Sequence, residues 1–81
     1  MKARVYVTLK TSVFDPQGHT ICDALHTMGY AEVADVRQGK FFELELGQAV
    51  SLEAAQKTVE EIAHRVLANP VIESYRVELE P

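Results

Sequence analysis

The sequence predicts an α+β fold, a two-layer ferredoxin-like β-α-β-β-α-β sandwich with two helices on one face of a four-stranded antiparallel sheet. Three observations predict it. Alternating apolar residues mark strands near both ends of the chain and in its middle. Two stretches with helical spacing separate those strands. Asp15-Pro16 and Asn69-Pro70 punctuate the junctions between them. Two β-α-β halves follow one another without a residue-level repeat, which is the split β-α-β order.

Ala3 to Lys10 alternate: Val5, Val7 and Leu9 fall on one face, and Arg4, Tyr6, Thr8 and Lys10 on the other. That is a half-buried strand. Asp15 is placed to cap the first helix, about Pro16 to Met28, by accepting from its free N–H groups. Pro16 suits the first helical position, where its missing N–H has no intrahelical partner anyway. Gly18 weakens the helix intrinsically, so it marks a close approach of backbone. Ile21, Ala24, Leu25 and Met28 form the predicted buried stripe, and Gly29 the left-handed stop.

Val33 to Gln38 and Phe41 to Gly47 read as two strands around a tight Gly39-Lys40 turn of type II′. In the second of them Phe42, Leu44 and Leu46 point inward, opposite Phe41, Glu43 and Glu45. Ser51 is the predicted cap of a second helix, about Leu52 to Ala68. Its stripe is Leu52, Ala55, Val59, Ile62, Val66 and Leu67. Glu53–Lys57 and Glu61–Arg65 are favourable i,i+4 pairs. Asn69-Pro70 ends that helix, and Val71 to Leu79 form the last strand. Val71, Tyr75, Val77 and Leu79 share its inner face, with Ser74, Arg76 and Glu78 opposite.

With 81 residues the chain reads as one domain, residues 1–81, with a thin stability margin that association with other chains commonly remedies. The net charge of −4 argues against nucleic-acid binding, which requires a basic surface. Cys22 is the single cysteine, so no internal disulfide and no zinc or thiol-redox motif is available, as in a reducing compartment. No apolar run reaches the ~20 residues that span a membrane. Met1-Lys2-Ala3-Arg4 leads into a strand pattern, not a signal-peptide core. The expectation is a soluble cytoplasmic protein.

A two-layer sandwich leaves the far side of its sheet uncovered, here with Tyr6, Thr8, Phe41, Glu43, Glu45, Ser74 and Arg76. Tyr6 and Phe41 exceed what a solvated face requires. They point to a symmetric contact with other copies, a homodimer or homotetramer. Chemistry is harder to find. His19 and His26 flank Cys22 along one line of the first helix, but a helix middle supplies no oxyanion hole, so packing is the reading. His64 sits among charges on a solvated face, which argues against a metal site. Glu43 and Glu45 share a strand face and read as a polar surface that pairs with Arg4, Lys10 or Arg76. Arg37 and Lys40 bracket the predicted turn, placed equally well to grip a phosphate or an acidic partner or to be solvated. The chain therefore reads as an assembly domain with no catalytic, cofactor-binding or metal residues of its own.

Five islands carry a resemblance: Val5 to Lys10, Asp15 to Gly18, Ala24-Leu25 to Gly29-Tyr30, Asp35 to Lys40, and Leu67 to Tyr75. Together they resemble the PurS family, small subunits of phosphoribosylformylglycinamidine synthase. Gln48 to Val66 adds least. The resemblance implies a non-catalytic subunit in purine biosynthesis. It would bridge a large synthetase subunit, which holds ATP and magnesium, and a glutaminase subunit that releases ammonia. The complex makes formylglycinamidine ribonucleotide from formylglycinamide ribonucleotide, ATP and glutamine. The expected contact residues are Tyr6, Arg37, Gly39, Lys40, Phe41, Asn69 and Pro70. The alternative is an ACT-like small-molecule-sensing domain, which shares the element order. An acylphosphatase-like hydrolase needs an anion loop that Thr11 to Phe14 does not supply. Metal-chaperone and RNA-recognition versions lack their Cys pair and basic aromatic motifs.

Overall fold

The computed structural model describes residues 1–47 and 51–81. Gln48 to Val50, the start of the stretch that adds least to the resemblance, lie outside the described residues. The elements are strand β1 (Lys2–Leu9), helix α1 (Pro16–Thr27), strand β2 (Gly39–Glu45), helix α2 (Leu52–Ile62) with a π turn over Ala63–Leu67, and strand β3 (Glu73–Glu80). β1 is central and antiparallel to both neighbours, in the order β2-β1-β3. Val5 stands opposite Phe42 and Val77, and Tyr6 opposite Phe41 and Arg76. Side-chain alternation therefore puts Ala3, Val5 and Val7 on one face, where all three are buried. Val59, Ala63 and Ala68 cover them from the second helical segment.

Both helix starts follow from local chemistry. The Asp15 carboxylate accepts from Gly18 N at 3.0 Å with Pro16 in the first turn, and Ser51 Oγ accepts from Ala54 N at 3.1 Å. After α1, Gly29 takes the left-handed conformation at φ 98°. The pair Glu61–Arg65 closes at 3.3 Å, whereas Glu53 and Lys57 stay apart; Gln56 instead donates to Glu60 at 3.0 Å.

Four predicted features are corrected. First, residues 33–38 form no strand, so the described residues build three strands and not four. The backbone groups of this segment go to α1 instead of to a ladder. Val33 O accepts from His26, Val36 O lies against Gly18, and Gln38 N donates to Asp15 at 2.7 Å. Second, Gly39-Lys40 is no turn: both residues are in β2, opposite Thr8 and Val7. Among the described residues only Gly29 has a positive φ, which a type II′ turn would need at Gly39.

Third, the stripe predicted to be buried on α1 is not buried. Gly18 and Cys22 are its buried residues, against the returning segment. Ile21 and Met28 remain 39% and 70% exposed. α1 makes no extended contact with the strands or with α2. Fourth, Val66 and Val71 point outward, at 74% and 76% exposure. The wider π turn delays the helical phase, so Leu67 and Ala68 take the inward positions instead. Val71 falls in the corner before β3. The result is an elongated molecule of 49 × 25 × 14 Å. Its radius of gyration is 16.0 Å, where a compact chain of this length has about 12 Å.

Candidate functional site

The end of the sheet where β1 finishes gathers the first group of predicted contact residues. Arg37 Nη2 donates to the carbonyls of Lys10 at 2.8 Å, Val13 at 3.0 Å and Leu9 at 3.3 Å. A cation is well suited to collect carbonyls left over where a strand runs out. One carboxylate does the complementary work: Asp15, 4% exposed, takes Gly18 N on one oxygen and Gln38 N on the other. The amide of Gln38 adds a bond to Gln17 at 2.7 Å. Asp15 and Arg37 thus knot the β1–α1 connection to the segment that enters β2.

Lys40 and the Asn69-Pro70 corner meet through Glu73. Its Oε1 accepts from Asn69 N at 2.7 Å, and its Oε2 lies 3.7 Å from Lys40 Nζ. Asn69 winds the corner itself: its side chain accepts from Val71 N at 3.1 Å and its carbonyl from Glu73 N at 2.7 Å. A cavity of about 200 Å³ lies between these parts, lined by Val7, Thr8, Asp15, Gln38, Lys40 and Glu73. Phe14, next in sequence to Asp15, and Val71 and Ile72, which precede Glu73, are exposed apolar residues. Gly39 belongs to this end for want of space: a Cβ there would meet Val7 O at 2.2 Å. Glu73 and Gln38 were missed from sequence, because each acts through a segment with no fixed spacing from it.

Tyr6 and Phe41 occupy the outer sheet face. Their rings stack at 5.0 Å, and the Arg76 guanidinium lies 4.3 Å over Tyr6. Tyr6 Oη donates to Glu78 at 3.1 Å, and Arg76 also pairs with Glu78. Arg76 first, and then Tyr6, holds the Glu78 carboxyl below the usual carboxylate range. Glu43 and Glu45 pair with Lys2, at 3.4 and 3.8 Å, and Arg4 pairs with Glu80. Lys2, opposite Glu45 in the register, therefore takes both glutamates, while Arg4, opposite Glu43, pairs with Glu80 instead.

Cys22 Sγ lies 3.7 Å from His26 Nε2, and that same nitrogen lies 2.6 Å from Val33 O. A carbonyl only accepts, so Nε2 carries the proton and is no base for the thiol. This pair ties α1 to its returning segment. Among the described residues no three of His, Cys, Asp and Glu come together as metal ligands.

Residues 2–81 match the family model of PurS, phosphoribosylformylglycinamidine (FGAM) synthase. The chain belongs to the PurS family. The synthase subunit PurS of Bacillus subtilis (strain 168) is 49% identical over 79 residues, covering 98% of this chain and 92% of that one. PurS of Methanocaldococcus jannaschii is one of the subunits of formylglycinamide ribonucleotide amidotransferase in the purine biosynthetic pathway. Its crystal structure superposes with a TM-score of 0.85 at 35% identity, over 98% of this chain and 94% of that one. A chain in the structure of PurLQS from Thermotoga maritima gives a TM-score of 0.84 at 34% identity, over 95% and 93%. PurS membership displaces the ACT-type alternative. It also accounts for a surface rich in knots and platforms and poor in reactive groups.

The Asp15 knot in this PurS-family chain carries a pH signature. The backbone bond from Gly18, and next that from Gln38, lowers its pKa, against the opposing effect of burial. A carboxylate lowered in this way contributes stability above the unfolded value, about 3.9. That contribution is lost as the pH falls through the folded value. Asp15→Asn, which can accept only one of the two bonds, is expected to be less stable than the parent at pH 7. The gap should close below about pH 4 in paired thermal melts. A gap unchanged from pH 7 to pH 3 would show that the charge of Asp15 plays no part.

Proposed function

We infer that this chain is the small, non-catalytic subunit of phosphoribosylformylglycinamidine synthase, acting in purine biosynthesis as a bridge between the synthetase and glutaminase subunits. The observation that carries the reading is the PurS match over residues 2–81, joined by likeness to a chain of a PurLQS structure. On this reading ATP and magnesium belong to the large subunit and the bond-making lies outside this chain. The chain is a single cytoplasmic domain; no helix among the described residues is long and apolar enough to cross a membrane. Its fold is the ferredoxin-like one with the second strand given over to holding α1. A central first strand flanked by the last and by the one before α2 supports that. The physical gain is containment: ammonia is lost to water unless the path between two sites is closed, and a wedge at the junction closes it.

Lys40, Gly39 and the Asn69-Pro70 corner, with Arg37 behind them, form the surface offered to the larger subunits. Tyr6 and Phe41 offer a second surface on the outer sheet face. Arg37 is occupied with three carbonyls, so Arg37→Ala perturbs the fold as well as any contact. Lys40→Ala is the cleaner probe, with its side chain 60% exposed. It is expected to weaken capture of the partner subunits about five-fold, equivalent to ~1 kcal/mol, with the melting curve little changed. The decisive assay is glutamine-dependent amidine formation by the reconstituted complex with and without this chain. Equal rates in both would remove the bridging role.

A further inference from the structure

We propose that the outer sheet face binds a single nucleotide, its base against Tyr6 and Arg76 and its phosphate over Thr8 and Ser74. The register builds both parts. Tyr6 stands between Phe41 and Arg76, and Thr8 between Gly39 and Ser74, on the same face. The first row is tall and flat: two stacked rings, with a guanidinium over the Tyr6 ring. The second row has only small side chains. A ridge therefore stands beside a shelf. A hollow of about 350 Å³ lies on this step, lined by Tyr6, Thr8, Ser74, Tyr75 and Arg76. That is a volume suited to a small ligand and not to a large one.

Charge decides what the hollow accepts. The strands place Glu43, Glu45, Glu78 and Glu80 on this face, all on the far side of the ridge. There they pair with Lys2, Arg4 and Arg76. Among the described residues no carboxylate lines the hollow. Arg76 gives Nη1 to Glu78, and a guanidinium carries donors on two further nitrogens. Thr8 and Ser74 are exposed, and each hydroxyl can donate. Lys10 stands two residues beyond Thr8, where β1 has ended. Hydroxyls beside a guanidinium, with the carboxylates walled off, suit an oxyanion.

The ridge adds the second requirement. Nucleobases stack on aromatic rings and on guanidinium planes, and Phe41 holds the Tyr6 ring from behind. A bare phosphate would leave that surface unused. A nucleic-acid chain would bring many phosphates to a protein of net charge −4. One nucleotide uses the ridge and the shelf together and asks for one anion site. The site lies wholly within this chain and stands apart from the bridging role.

Amide shifts of the full, isotope-labelled chain test it during titration with adenosine monophosphate to millimolar concentration. Saturable shifts are expected at Tyr6–Thr8 and Ser74–Arg76. Adenosine and ribose 5-phosphate each carry one half of the ligand, and each should bind about ten-fold more weakly. Ser74→Asp sets a carboxylate on the shelf and should weaken binding about ten-fold or more with the melting curve little changed. Tyr6→Leu removes the ring and should reduce adenosine monophosphate to the affinity of ribose 5-phosphate. Absence of saturable shifts, or shifts centred elsewhere, overturns the proposal. So does binding unchanged in either variant. An equal response to inorganic phosphate alone would show an adventitious ion only, and overturns it too.

Discussion

Gly18→Ala is expected to lower the melting temperature by about 5–20 °C, the opposite sign to a glycine replaced in an ordinary helix. In an exposed helix interior the change to alanine gains up to ~1 kcal/mol. Here the added Cβ would stand 2.2 Å from Val36 O and 2.6 Å from Asp15 Oδ2. Both neighbours are held: Arg37 and Gln38, which follow Val36, are anchored, and Asp15 already accepts two backbone bonds. Relief requires the returning segment to move away from α1, which strains the Gln38 bond and the Arg37 contacts that follow it. Overpacking of this kind costs roughly 1–3 kcal/mol, and a damaged cap adds ~1 kcal/mol. The net loss is about 1–3 kcal/mol after the helix gain is subtracted, and each kcal/mol moves the midpoint of a domain this size by about 4–8 °C. A higher midpoint in Gly18→Ala would mean that residues 33–38 do not lie against α1.

Gly18 also shows what a sequence can disclose. Its placement in a first turn signals close approach of backbone, and the carbonyl of Val36 is the approaching group. Asp15, Pro16, Gly29 and Ser51 act locally, within three or four residues, so they were legible too. The stripe of Ile21, Leu25 and Met28 was read correctly as a pattern and wrongly as a buried one. Periodicity reports which side chains seek cover and is silent on whether the same chain supplies it. Val66 was misplaced for a different reason: one π turn shifts the phase of every later residue, and no local signal marks it. Of the candidate site, Asn69-Pro70 was visible as a corner, but Glu73 as the link between that corner and Lys40 was not. A tertiary ion pair leaves no trace in spacing. Arg37 was seen as a charge at a turn; its role in gathering three carbonyls depends on where β1 ends in space.

The error over residues 33–41 has a direct experimental consequence at Gly39. A Gly-Lys pair between apolar runs favours a tight hairpin, yet the structure uses Gly39 as the first residue of β2, opposite Thr8. Its missing side chain is what permits the pairing: a Cβ would meet Val7 O at 2.2 Å and the Thr8 methyl at 2.7 Å. The methyl can rotate away, but the Val7 carbonyl cannot, because Val7 is fixed in the central strand with its side chain 1% exposed. Gly39→Ala is therefore expected to open the β1–β2 ladder from this end, at roughly 1–3 kcal/mol and about 5–20 °C. Faster amide exchange should be confined to Gly39–Phe41 and the facing end of β1. Gly39→Asn separates the two placements. Asparagine tolerates a positive φ better than alanine does, while the clash with Val7 O is the same for any residue bearing a Cβ. Asparagine should therefore destabilise at least as much as alanine, and an asparagine variant with the parent's midpoint would restore the hairpin.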